Sequence, residues 1–405
     1  MVLRAPVLLF EPRFWAEEGT RYFSFAWAAH ARGDWWASLV NLPTSISVGY
    51  YALWPNVAST LAAAVPLEQA PRVTTLFAFA VQLAVVAFWL WSRHDLWPAR
   101  WQKAVGAAVL VLAPLSAEAW LNTINSQFFL VVLTLVVLFA RTDTRAVRYA
   151  GRAALAVASL TGSLSCVLTP WFVERAWAQR SRERWIQAGV LGAGALLQAV
   201  VAVAALSAPD SLIAERAGLP PLATVVAVGA TQSLGLVLGG IDWMRVVAAD
   251  IIARGGLGAA AWLWLAGGAA VLFAISLGVP ARDRARLLSL YVTLLVVVVA
   301  TSLGDDKLAL VPPGVAERYF MPANTLLMLI LLAAAGAPSR HRAQPIILSI
   351  VLGWTLLQGA ARFAEQPFVR DDWPRWRDEV ARFRADPTHR PGVWPGGWSI
   401  EPPPR

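Results

Sequence analysis

Charge is scarce in this 405-residue chain. Asp, Glu, Lys and Arg together make up 15% of it, against about a quarter in ordinary globular proteins. Lysine is nearly absent: Lys103 and Lys307 are the only two, so the net charge of +9 is carried by arginine. Cysteine occurs once, at Cys166, which excludes an intrachain disulfide. The four histidines, His30, His94, His341 and His389, form no zinc-binding spacing. Neither a Walker phosphate loop nor a dinucleotide glycine fingerprint is present, which leaves no sequence case for ATP-driven transport or nicotinamide redox chemistry.

What is present in excess is apolar. Hydrophobic residues make up 58% of the chain, against 45–50% in globular domains. Apolar runs recur over residues 72–91, 104–115, 128–140, 188–206, 257–277, 287–302, 322–335 and 345–360. A helix rises ~1.5 Å per residue, so ~20 apolar residues cross a ~30 Å hydrocarbon layer. None of the runs alternates with period two, which argues against a barrel. Two further runs are interrupted by polar residues: 153–172 by Thr161-Gly162-Ser163, and 221–238 by Thr231-Gln232-Ser233. The expected fold is an all-α polytopic membrane protein of about ten embedded helices, broken or re-entrant ones included.

Arginine placement predicts the orientation, because cytoplasmic loops are enriched in Arg and Lys. The loops 92–103, 141–152, 174–184, 281–286 and 338–342 each hold two to four of these cations and are expected on the inner side. Loop arginines of this kind give no case for a nucleic-acid partner. Two such loops flank 153–172, so that segment must cross twice or dip and return, with the break at Thr161–Gly162–Ser163. The same parity makes 221–238 dip from the outside and return there. The outer side then receives residues 1–71, 116–127, 305–320 and the tail from 362. Within 1–71, the stretches 23–34 and 45–65 read as interfacial helices, with Trp27, Trp35, Trp36 and Trp54 at headgroup depth. Residues 1–361 are expected to form one membrane-embedded domain, and 362–405 a short ordered tail on the outer face. In that tail, Trp376, Val380 and Phe383 share one face of a short helix.

Three outer patches hold uncommon polar residues. The first is Trp15-Ala16-Glu17-Glu18-Gly19. Adjacent carboxylates beside a bilayer are costly unless solvated or used. Glu17-Glu18 reads either as a solvated helix start or as a general base, since paired acids push one pKa up. The second patch carries Glu118, Asn122, Asn125 and Gln127. Asn125 or Ser126 suits an N-cap, and the amides that capping leaves over suit sugar hydroxyls. The third is Glu317-Arg318-Tyr319, either an interfacial anchor or a phosphate ligand through the arginine fork. Asp305-Asp306-Lys307 lies just upstream, and an aspartate pair without a third ligand makes a poor case for a divalent metal.

Together these patches resemble the GT-C class of integral-membrane glycosyltransferases, which use a polyprenyl-phosphate sugar at the outer membrane face. The resemblance rests on Trp15–Gly19, on Asn122 to Gln127 and on Arg318-Tyr319. It implies that Glu17 or Glu18 is the base. It further implies that Arg318, with Tyr319 and Lys307, holds the lipid phosphate, and that Asn122, Asn125 and Gln127 meet sugar. The implied partners are a polyprenyl-phosphate sugar donor, a glycan or lipid-linked acceptor and membrane lipids, with no cofactor, in a bacterial inner membrane with an outward-facing site. A transporter or flippase for a lipid-linked or anionic solute is the rival. It requires a binding site near the midplane, whereas an enzyme requires the three patches to meet in one outer cavity. A non-catalytic assembly protein would have no cavity.

Overall fold

The computed structural model describes residues 6–113, 118–208, 211–212, 221–255, 258–302, 307–337, 343–363 and 375–403. It is 76% helical, and six of its helices are long and apolar enough to cross a membrane. This is an all-α integral membrane protein. Its polypeptide has to satisfy its own backbone hydrogen bonds in lipid, and helices do so within one segment.

The first part is a set of short helices: α1 (Pro6–Phe10), a π-helical turn (Glu18–Phe23) running into α2 (Ser24–Ala31), α3 (Trp35–Val40), α4 (Leu42–Val48) and α5 (Leu53–Ala63). Asp34 and Asn41 cap α3 and α4, each accepting from a backbone amide three residues on. Trp35 and Trp36 are exposed, as an interfacial role requires. Trp27 and Trp54 instead pack inward. Trp27 stacks on Phe23, and the Trp54 indole donates to the Phe77 carbonyl at 3.0 Å.

Longer helices follow: α6 (Ala70–Trp91), α7 (Arg100–Leu112), α8 (Ser126–Phe139) and α9 (Arg145–Leu160). The polar break falls where the sequence places it, at Thr161–Gly162. From there α10 (Ser163–Cys166) and α11 (Thr169–Gln179) lead back to the arginine-rich end, and α12 (Arg182–Leu206) crosses again. Gln198 of α12 ties three segments together. Its Oε1 accepts from the Tyr51 amide at 2.9 Å, and its Nε2 donates to the carbonyls of Tyr51 and Ser159.

The second polar interruption behaves differently from the expected dip. Leu222–Gly239, α13, is one helical run with a π-turn at Ala230–Leu234. Its three polar residues are all buried and each makes at least one hydrogen bond, while Gln232 Oε1 has no partner among the described residues. Gln232 Nε2 donates to the carbonyls of Leu310, Pro312 and Val315, the Tyr291 hydroxyl donates to Ser233, and Thr231 donates to Ala227 O. A π-turn adds one residue to the helix and turns these side chains toward partners. The remaining helices are α14 (Ile241–Ala253), α15 (Ala259–Ser276), α16 (Ala281–Thr301), α17 (Glu317–Gly336) and α18 (Ala343–Phe363).

Two helices form the centre. Every residue of α8 except Gln127 is buried, and α17 is buried from Phe320 to Ala335. At its C-terminus α8 meets two buried arginines: Arg175 donates to Leu138 O and Arg184 to Ala140 O. Cations there oppose the negative end of the helix dipole.

Of the tail, residues 375–403 are described. Helix α19 (Trp376–Ala385) buries Trp376 and Val380, and its Phe383 packs edge-on against Trp27 at 5.7 Å. A two-stranded hairpin, β1 (Gly392–Val393) and β2 (Trp398–Ser399), completes a small second core with Phe14, Phe23 and Ile400. Close helix approach is set by glycine at one joint in particular. A Cβ on Gly359 of α18 would fall on the backbone carbonyl oxygen of Leu112 in α7. Gly359→Ala should therefore cost about 1–3 kcal/mol, the usual range for overpacking. Thermal unfolding of the two proteins in the same detergent checks this.

Candidate functional site

A cavity of ≈ 590 Å³ opens where the first turns of α8 and α17 meet the first loop. That is within the usual range of small-molecule sites, about 300–1,000 Å³. Glu17, Asn125, Gln127, Arg318 and Tyr319 all line it. At least one residue from each of the three sequence patches is thus brought to one place. The opposite wall is apolar, formed by Leu206 at the end of α12 and by Val297, Val298 and Ala300 near the end of α16.

The local backbone explains how the residues are presented. Ala16, Leu121 and Ala316 each have positive φ, at 31°, 54° and 51°. They precede Glu17, Asn122 and Glu317. Left-handed backbone in a residue with a Cβ costs of order 1 kcal/mol and clusters at functional sites. All three segments that supply the cavity are therefore bent against local preference. Gly19 packs against the tail: a Cβ there would lie 2.9 Å from Phe14 Cβ and 3.0 Å from Val393 Cγ1. The segment preceding α17 is fixed from below by the three carbonyls that Gln232 holds.

The two glutamates separate. Glu17 is half-buried on the cavity wall, and its carboxylate has no hydrogen bond or ion pair among the described residues. Glu18 is buried and does not line the cavity. Its carboxylate accepts from the Thr123 amide at 2.7 Å, from the Thr123 hydroxyl and from the Trp15 amide at 3.1 Å. Burial pushes its pKa up to about 7 against the opposing pull of those donors.

The amides divide likewise. Asn122 is buried away from the cavity, its Nδ2 donating to Glu118 O at 2.8 Å and its Oδ1 accepting from the Asn125 amide at 3.0 Å. Asn125 precedes α8 but makes no side-chain cap; its Nδ2 reaches back to Glu118 O at 2.9 Å. Gln127 donates to the Tyr50 hydroxyl at 3.2 Å. Gly162 at the helix break lets Gln127 approach, since a Cβ there would sit 2.5 Å from Gln127 Oε1.

Arg318 is paired with Glu118, and its guanidinium lies 4.8 Å from the centre of the Tyr319 ring. Glu317 Oε1 accepts from the Glu118 amide at 2.7 Å. Tyr319 meets Phe128 edge-on at 5.3 Å. The side chain of Lys307, and Asp305 and Asp306 altogether, lie outside the described residues. Among the described residues no group of three acids, histidines or cysteines is placed to hold a metal.

Tyr22 and Tyr50 also line the cavity and carry no sequence signal beyond being aromatic. Burial raises both phenols above their ordinary pKa, and Tyr319 adds to the shift of Tyr50. Both stay protonated near neutrality and can donate hydrogen bonds. Glu118, which the sequence places in the second patch without a role, is the partner of Arg318.

Comparison of the chain with protein-family models, with curated proteins and with solved structures finds no match. The function therefore rests on the site itself.

A raised carboxyl pKa makes a prediction. The folded form of Glu18 holds its proton up to about pH 7, whereas a free glutamate loses it near 4.5. Folding stability from this group is full below pH 4.5 and falls as pH rises through about 7. Glu18→Gln cannot ionise, so the decline in unfolding temperature between those pH values should flatten in a thermal-unfolding series.

Proposed function

We propose that this protein transfers a sugar from a polyprenyl-phosphate donor to an acceptor hydroxyl, at a site on the outer side of a bacterial inner membrane. The observation that carries the reading is the meeting of an unpaired carboxylate, two amides and an arginine in one cavity with an apolar wall. Lipid-linked donors need both: polar groups for sugar and phosphate, and an apolar surface for the chain that follows them. The interhelical loops on the cavity's side, 116–127 and 305–320, hold fewer cations than those at the opposite end, which supports an outward site.

The chemistry is a single displacement. Glu17 takes the proton of the acceptor hydroxyl as its oxygen attacks the anomeric carbon. The bond from that carbon to the phosphate oxygen breaks, and the electron pair leaves with polyprenyl phosphate. Inversion at the anomeric carbon follows. Asn125 and Gln127 orient sugar hydroxyls, while Tyr22 and Tyr50 offer further donors. Arg318 stabilises charge on the departing phosphate. A phosphate reaching Arg318 has to replace Glu118, one acidic partner for another, and bidentate pairing suits both.

One feature favours transfer over the transport alternative: the cavity lies at the helix ends rather than midway along them.

Transfer from a polyprenyl-phosphate sugar to acceptor, assayed with purified variants, tests the proposal. Glu17→Gln should lower turnover by roughly 10²–10⁴-fold with little change in donor binding, the span expected of a general base. Full activity of Glu17→Gln would remove Glu17 from the mechanism. Arg318→Ala should weaken donor binding more than acceptor binding. Glu118→Gln should tighten donor binding by freeing Arg318, and a loss of donor affinity in that variant would contradict the exchange of partners.

A further inference from the structure

A second cavity, of ≈ 190 Å³, lies at the arginine-rich end of the molecule. Helix α16 connects the two sites: Arg286 near its start lines the second cavity, and Thr301 at its end lines the first. At ~1.5 Å per residue the two positions are about 22 Å apart along the helix, so the cavities are distinct. The second is too small for a sugar-lipid head, since it falls below the ~300 Å³ at which small-molecule sites begin.

Three arginines line it, Arg175, Arg282 and Arg286, with Asp95, Asp283 and Gln179. Their hydrogen bonding is uneven. Arg286 is fully engaged, with Glu174 at 2.8 Å and Asp283 at 2.9 Å. Arg282 is mostly exposed and reaches Glu174 only at 3.4 Å. Arg175 is buried, at 4% exposure, yet only its Nη1 is hydrogen-bonded, to Leu138 O. Its Nη2 stands 3.8 Å from Asp95, beyond hydrogen-bond reach, and its Nε has no partner among the described residues. A buried guanidinium with most of its donors unused calls for a further acceptor. Arg184, buried close by on the carbonyls that end α8, adds positive charge.

The depth of the pocket follows from its neighbours. Trp177 and Trp185 are both exposed and meet edge-on at 6.5 Å. They flank Arg180 and Arg182 in the loop after α11. Exposed tryptophans beside arginines are typical of the headgroup layer.

We propose that this pocket binds a phosphate ester or phosphate ion. One oxygen sits against Arg175 on the inside, another against Arg282 at the rim, and Asp95 gives way. The proposal is independent of sugar transfer at the opposite end. The same chemistry can come from the headgroup of an acidic phospholipid or from free phosphate.

The full chain in nonionic detergent provides the test, with thermal unfolding followed by tryptophan fluorescence. It is titrated separately with phosphatidylglycerol, phosphatidylcholine and inorganic phosphate at constant ionic strength. A saturable rise with phosphatidylglycerol alone identifies the lipid source; a rise with inorganic phosphate alone identifies the free ion. Arg282→Gln removes an exposed rim cation and should weaken the effective probe roughly threefold. Asp95→Asn removes the competing carboxylate and should strengthen it by a similar factor. No response to either phosphate probe, an equal response to phosphatidylcholine, or a response unchanged in both variants would overturn the proposal.

Discussion

The buried carboxylate of Glu18 is the interaction on which the candidate site depends. It is held by the main chain of the first loop at Trp15 and by the main chain and hydroxyl of Thr123 in the next. Two segments far apart in sequence are thereby fixed to one group of atoms. The neighbouring Glu17 and the amides after Thr123 then face the same space. Glu18 thus does structural work, while the carboxylate of Glu17 beside it has no partner among the described residues. Burying a carboxyl is costly, and the cost appears as its raised affinity for a proton.

The two central helices give this arrangement a polarity. The first turns of α8 and α17 line the large cavity, while the far end of α8 abuts buried arginines. Each helix presents the positive end of its dipole to the large cavity, and α8 presents its negative end to cations. The three strained residues, Ala16, Leu121 and Ala316, sit at the entrances to this end of the molecule. Rigid central helices hold them there, as strain at a site requires.

Much of this was legible in the sequence, because lipid enforces a simple pattern. The apolar runs, the break at Thr161–Gly162, the amphipathic face of the tail helix and the shared location of Glu17, Asn125, Gln127 and Arg318 all follow from hydropathy and arginine counting. What escaped has one cause: polar side chains used inside the protein look the same in sequence as those used for function. Gln232 resembles a substrate ligand but fastens a loop, Asn122 resembles a sugar contact but braces a turn, and Glu18 cannot be told from Glu17. Only packing distinguishes them. Tyr22 and Tyr50 escaped for the converse reason, since aromatic residues in an interfacial stretch look like membrane anchors.

The tail has a further consequence. The main chain of Trp394 bonds to that of Phe14 and Ala16, and Arg13 stacks on the Trp394 ring at 4.1 Å. The acidic loop is therefore braced by a segment that follows all the long apolar helices in the chain. A contact of such long sequence separation pays the full loop-closure entropy before it is rewarded, so the direction of Glu17 is set late in folding.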